Sequence, residues 1–129
     1  MDDQQNLQEL EGKNWGDPES APTPMVARRL RLRRTPLRAL TGDDLRLLID
    51  QKIGLEYVIP KALELLCGDA MVEVGLYRGD LLSALLRVDN NYWSQNPPER
   101  EWFASLARRV VKEFGKLVRD CETFLAANR

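Results

Sequence analysis

The sequence predicts an all-α fold, a single compact bundle of about five to six helices closed by a long C-terminal helix. Three observations carry that expectation. Apolar residues recur at intervals of three and four through most of the chain. Hydroxyl, Asx and proline start signals stand before those runs, with glycine after several of them. The one segment that alternates, Met71 to Tyr77, has no second strand to pair with and is expected as a packed loop.

Residues 1 to 24 are expected to form an acidic N-terminal arm with a short helix, and residues 25 to 129 the helical domain itself. In the arm, a helix over Gln4 to Glu11 ends at Gly12, and Trp15 pins the rest of the arm. Thr23 and Pro24 form an N-cap and first-position pair for a helix over Met25 to Arg34, which must stop before Pro36. Val26 and Leu30 on it, and Leu37 just past its end, are expected to face the core.

Thr41-Gly42-Asp43-Asp44 is a capping sequence, with two acids at the positive end of the dipole, and it opens a helix ending near Gln51. From Leu55 to Cys67 apolar positions cover more than one stripe, so this element is expected to be buried on two sides. A short turn over Leu55 to Val58 is expected to kink into a helix with Pro60 in its first turn. Gly68 closes it.

After Gly79 and Asp80, Leu81, Leu82, Leu85 and Leu86 mark a short helix, and Asp89 to Asn91 reads as a turn carrying Tyr92 and Trp93. Asn96 and Pro97 then open a helix reaching about Ala127. Phe103, Leu106, Val110, Phe114, Leu117, Cys121 and Phe124 share one of its sides, which makes it the spine of the domain.

Composition narrows the function. Histidine is absent, which excludes histidine bases, histidine zinc ligands and the usual triads. No apolar run approaches a membrane span, and no apolar signal region stands at the start, so a cytoplasmic location is expected. Cys67 and Cys121 lack metal-site spacing and read as buried thiols. Phosphate-cradling glycine loops and calcium loops are missing. Asp43, Asp44, Asp80 and Glu56 could supply an acid pair for hydrolysis, but acids at helix starts are far more often caps. The reading is of a protein that is not an enzyme, with no cofactor and no metal.

The net charge of −1 conceals segregation. Residues 1 to 22 hold six acids and one base, whereas residues 23 to 40 hold six arginines and no acid. Residues 41 to 80 hold eight acids and four bases. Arg28, Arg29, Arg31, Arg33, Arg34 and Arg38 open the alternative reading of a small helical nucleic-acid-binding regulator using segment 28–38. Against it, the arginines surround their helix, no aromatic interleaves them for stacking, and acidic segments on both sides offer internal neutralisers.

Pro36-Leu37-Arg38-Ala39-Leu40-Thr41, then Asp44 to Ile49, Gln51, Gly54-Leu55, Pro60 and Ala62-Leu63, resemble a bacterial family, the immunity proteins of contact-dependent growth inhibition (CDI) systems, CdiI type. Tyr77-Arg78-Gly79-Asp80-Leu81-Leu82 with Leu85 to Val88 is similar to a second block of that family. Leu10-Glu11 and Trp15-Gly16-Asp17-Pro18 extend the resemblance into the arm, over about residues 7 to 93. It implies a protein that binds and neutralises the C-terminal toxin domain of the cognate CdiA exoprotein; from the composition and the arginine segment, neither membrane nor nucleic acid is expected as partner.

Such toxins are often nucleases, which present basic grooves. The expected toxin-binding residues are therefore acids not needed as caps, namely Asp50, Glu56, Glu64, Asp69 and Glu73, with exposed Tyr77 and Trp93 as aromatic anchors. Thr41, Asp44 and Asp80 are assigned to capping.

Overall fold

The computed structural model describes residues 3 to 127, so the outermost two residues of the expected arm and of the expected domain lie outside it. Among the described residues the fold is all-α: seven helices and two short 3-10 turns, with one isolated antiparallel bridge between Glu73 and Arg78.

Helix α1 covers Leu7–Glu11, shorter than expected because Asn6 is its cap. The Asn6 side chain accepts from the Glu9 amide, and Glu9 accepts from the Asn6 amide in return. Leu7 is fully buried. Gly54 sits against it so closely that a Cβ there would strike the Leu7 side chain, and Gly54 has a positive φ of 61°. Arm and domain therefore share one core.

Helix α2 covers Pro24–Arg33, capped by the Thr23 hydroxyl as expected. Leu30 and Leu37 are buried and Val26 is half-buried. Helix α3, Gly42–Asp50, carries the full capping box: Thr41 accepts from the Asp44 amide at 3.1 Å, and Asp44 accepts from the Thr41 amide at 3.0 Å. Replacing Thr41 by alanine should lower the unfolding free energy by about 1 kcal/mol. Urea denaturation measures it, and no change would remove the box from the account of stability.

The end of α3 depends on a residue with no turn signal in the sequence. Lys52 takes the left-handed conformation, φ 59°, while its amide bonds to the Ile49 carbonyl and the Ile53 amide to the Leu48 carbonyl. Ile53 is thereby buried in the core.

Helix α4, Leu55–Gly68, already includes Leu55 to Val58, so these residues are its first turn and not a separate turn before it, and Pro60 lies inside the helix past that turn. Its buried residues, Val58, Ile59, Ala62, Leu63 and Leu66, form one broad stripe. Leu65 and Cys67 are exposed, and α4 is not buried on two sides. Helix α5 covers Asp80–Leu86. The segment read as a turn is a sixth helix, α6, Asn90–Gln95, whose second amide bonds to the capping Asp89 carboxylate.

Helix α7 spans Pro97–Ala127. α3 packs on α4 and α5, and α7 lies over α4 and α6. Only its proximal part serves as a spine: Phe103 and Leu106 are buried, whereas Phe114, Leu117 and Phe124 are exposed. The apolar period reports which face is apolar, not whether anything is there to cover it.

Candidate functional site

The segment between α4 and α5 is a loop, as the sequence predicts, and one carboxylate organises it. Asp80 is the first residue of α5 and 1 % exposed. Its Oδ1 accepts from the amides of Val74 at 3.0 Å and Leu81 at 2.9 Å. Oδ2 accepts from Gly75 at 3.0 Å and Leu76 at 2.8 Å, with the Tyr77 amide at 3.5 Å. Burial pushes the Asp80 carboxyl upward, but these backbone donors outweigh it and hold the carboxyl below its ordinary value. The sequence predicts a cap at Asp80, but α5 starts without a side-chain cap bond and the Asp80 carboxylate instead holds the loop that precedes the helix.

Two further contacts seat the loop. Val74 lies on Gly42, and Gly75 packs directly against the Asp43 carboxylate, where no side chain would fit. Gly79 ends the loop with φ 86°. Its backbone packs under Met71, so a Cβ there would strike the Met71 methyl. A loop bound at so many points presents its side chains without a large ordering cost on binding. What it presents is Leu76, 63 % exposed, and Tyr77, 47 % exposed, with Asp69 and Glu73 exposed earlier on the same segment.

Beside the loop runs a ladder of ion pairs. Arg28 reaches Asp43 at 3.2 Å and Asp44 at 3.4 Å. Arg46 bridges Asp43 at 2.8 Å and Asp50 at 3.2 Å, and Arg87 bonds Asp50 at 2.8 Å. Hydrogen bonding from Arg46 holds Asp43 below its ordinary value against the opposing effect of burial, with Arg28 adding to it. Asp50 raises Arg87, to which Tyr77 also bonds.

Of the residues expected to meet a toxin, the structure brings Asp50 and Tyr77 together at Arg87 and sets Asp69 and Glu73 on the same loop as Tyr77. Asp69 ends α4 and accepts from the Met71 amide at 3.0 Å. It lines a cleft of about 380 Å³ with Arg78, Arg109, Glu113 and Phe114, so two acids and two bases share its wall. Glu56 and Glu64 are exposed on α4, away from the loop. Glu64 shares a hollow with Arg38 and Lys61. Glu56 acts on α6, where burial first, then the charges of Glu99 and Glu56, push the Tyr92 phenol up to about 12.

Trp93 is a correction. It is buried, stacked on Phe103 with ring centroids 5.2 Å apart and planes 6° from parallel, so it is a core residue and not an exposed anchor. The expectation of buried thiols is also overturned: Cys67 and Cys121 are both exposed. Cys67 accepts from the Trp102 indole N–H at 3.1 Å. Leu76 is the residue that sequence reasoning passed over. Its signal is local, a large apolar side chain between Gly75 and Tyr77 in a segment with no helical period.

Three of the six arginines of the segment are committed internally. Besides Arg28, Arg33 bonds Glu11 at 2.8 Å and the Lys13 carbonyl at 3.0 Å and lies 3.9 Å over the Trp15 ring. Arg34 donates to the Gly16 carbonyl. Trp15 thus pins the arm as expected, through a buried arginine. Among the described residues no three His, Cys, Asp or Glu side chains gather as a metal site, and no helix is long and apolar enough to cross a membrane.

No curated protein and no solved structure matches the chain at a significant level. Residues 9–115 match the family described as CDI immunity proteins. That span runs from the arm through the ion-pair ladder and the Asp80 loop to the middle of α7, so the chain belongs to the family of CDI immunity proteins.

Proposed function

We propose that this protein acts in the cytoplasm by binding the C-terminal toxin domain, a nuclease, of its cognate CdiA exoprotein, and that it blocks the toxin by occupation, without chemistry of its own. The observation that carries the reading is the Asp80-held loop. It offers two large exposed side chains, Leu76 and Tyr77, on a frame of backbone hydrogen bonds, with the exposed acids Asp69 and Glu73 on the same segment. Apolar anchors on a preorganised loop supply affinity, and acids beside them attract the basic groove a nuclease needs for its substrate. Of the other acids, Asp50 is neutralised by Arg46 and Arg87, and Glu56 and Glu64 stand exposed on α4 as outer contributors. Family membership supplies the toxin as partner.

Charge reversal at two positions, Asp69→Lys with Glu73→Lys, tests the surface. Association with the purified toxin domain should slow by about tenfold at low salt, since charge complementarity acts chiefly on the on-rate. Protection of cells expressing the toxin should weaken. An unchanged association rate together with full protection would reject this surface.

A further inference from the structure

Helix α7 is longer than the domain it closes. Its 31 residues span about 46 Å, while a compact chain of this length has a diameter of about 36 Å, from a radius of gyration of about 14 Å. One side of the overhanging distal half is apolar: Val111, Leu117, Val118 and Leu125 are 70, 55, 53 and 61 % exposed. The molecule's accessible surface is 8061 Å², roughly 1,100 Å² above the ~7,000 Å² of a compact monomer of its mass. That excess is close to the ~800 Å² each partner contributes to a standard interface.

The order of residues in the overhang points to what covers it. In heptad notation Val110 and Leu117 stand at d, Phe114 and Cys121 at a, and Val111, Val118 and Leu125 at e. Laid antiparallel about a two-fold axis between Gly115 and Lys116, two copies of this stripe match each other. Phe114 meets Leu117 and Val111 meets Val118 at the flank, while Val110, half-buried against the protein's own core, meets Cys121 at the edge of the pairing. Glu113 opposite Asp120 is a like-charge pair at the solvated rim, where salt screens it and Lys116 lies within one helical turn of both.

A basic toxin groove fits this stripe less well, because residues 111 to 127 carry three acids and three bases and so offer it no net negative field. At the foot of the overhang a hollow of about 360 Å³, lined by Arg78, Glu113, Phe114 and Leu117, lies where the second helix would seat. We propose that the protein forms an antiparallel homodimer through the distal half of α7. The dimer uses neither Leu76 nor Tyr77, so this inference does not rest on the toxin-binding reading.

Light scattering on the full chain at micromolar concentration should give a mass twice 14.8 kDa. Leu117→Glu should raise the dimer dissociation constant by about 100-fold or more, with the helical circular dichroism spectrum retained. Val111→Lys, at a more exposed position, should act in the same direction. In a Cys67→Ser background under mild oxidant, Val110→Cys should form an intermolecular disulfide with native Cys121, whereas Cys121 alone should not cross-link. A wild-type monomer at these concentrations overturns the dimer, and efficient cross-linking through Cys121 alone overturns the antiparallel arrangement. A wild-type monomer whose Leu117→Glu variant loses toxin protection would assign the overhang to the toxin and equally overturn the proposal.

Discussion

Asp80→Asn is expected to lower the unfolding free energy by about 2 to 4 kcal/mol, because buried amides lose a charged acceptor and one side-chain atom becomes a donor facing donors. The amide group cannot avoid this by rotating. One oxygen of Asp80 serves Val74 and Leu81, the other serves Gly75 and Leu76, and an asparagine keeps only one oxygen. Denaturant unfolding gives the magnitude. Hydrogen exchange at the amides of residues 74 to 76 locates it, since their protection should fall further than that of the α3 and α4 amides.

The same loosening should weaken toxin binding beyond the loss of stability, because Leu76 and Tyr77 would have to be ordered on association. A change under about 0.5 kcal/mol with loop protection intact would show that the carboxylate is not what holds the loop.

The pH dependence has a definite sign. The Asp80 and Asp43 carboxyls lie below their ordinary value of 3.8 in the folded protein. On acidification the unfolded chain therefore binds protons first. Their contribution to stability is complete above the unfolded value and disappears as pH falls through the lower folded values. In Asp80→Asn the acid limb of the stability profile should be shallower than in the wild type. An identical limb would mean that other carboxylates dominate it.

Unequal losses are expected from the two sides of the Arg33 to Glu11 pair. Arg33 is 1 % exposed and Glu11 28 % exposed, at 2.8 Å. Glu11→Ala leaves a buried guanidinium with only the Lys13 carbonyl and the Trp15 face, and should cost about 2 to 3 kcal/mol. Arg33→Met removes the charge and refills most of its volume, while Glu11 turns to water, so it should cost about 1 kcal/mol or less. Thermal unfolding of the two variants decides it. Equal losses, or the reverse order, would mean that the arm is held by the packing of Leu7 and Trp15 and not by the buried charge.

Features that depend on near neighbours could be read from the order of residues alone. Thr23 and Thr41 act within three residues of themselves, so the starts of α2 and α3 were legible, whereas Asp89 caps α6 in the same way but reads in the sequence as part of a turn. Asp80 was legible as structural because a carboxylate at a helix start satisfies local amides. The family resemblance came from the same stretch, with its capping sequence, glycines and leucines in fixed order.

Which side chains find cover was settled by the packing of the elements. An apolar period marks a face, and burial is a property of what lies opposite it. Trp93 and Phe114 lie close to equally apolar neighbours in sequence, yet Trp93 is stacked on Phe103 within the core and Phe114 is exposed past its edge. Leu65 and Cys67 on α4 obey the same rule, exposed because the elements packed on that helix cover one stripe and stop. Arg33 inverts it: a charge expected on the surface is buried, because the returning arm brings Glu11, the Lys13 carbonyl and Trp15 to meet its guanidinium over some twenty residues of chain.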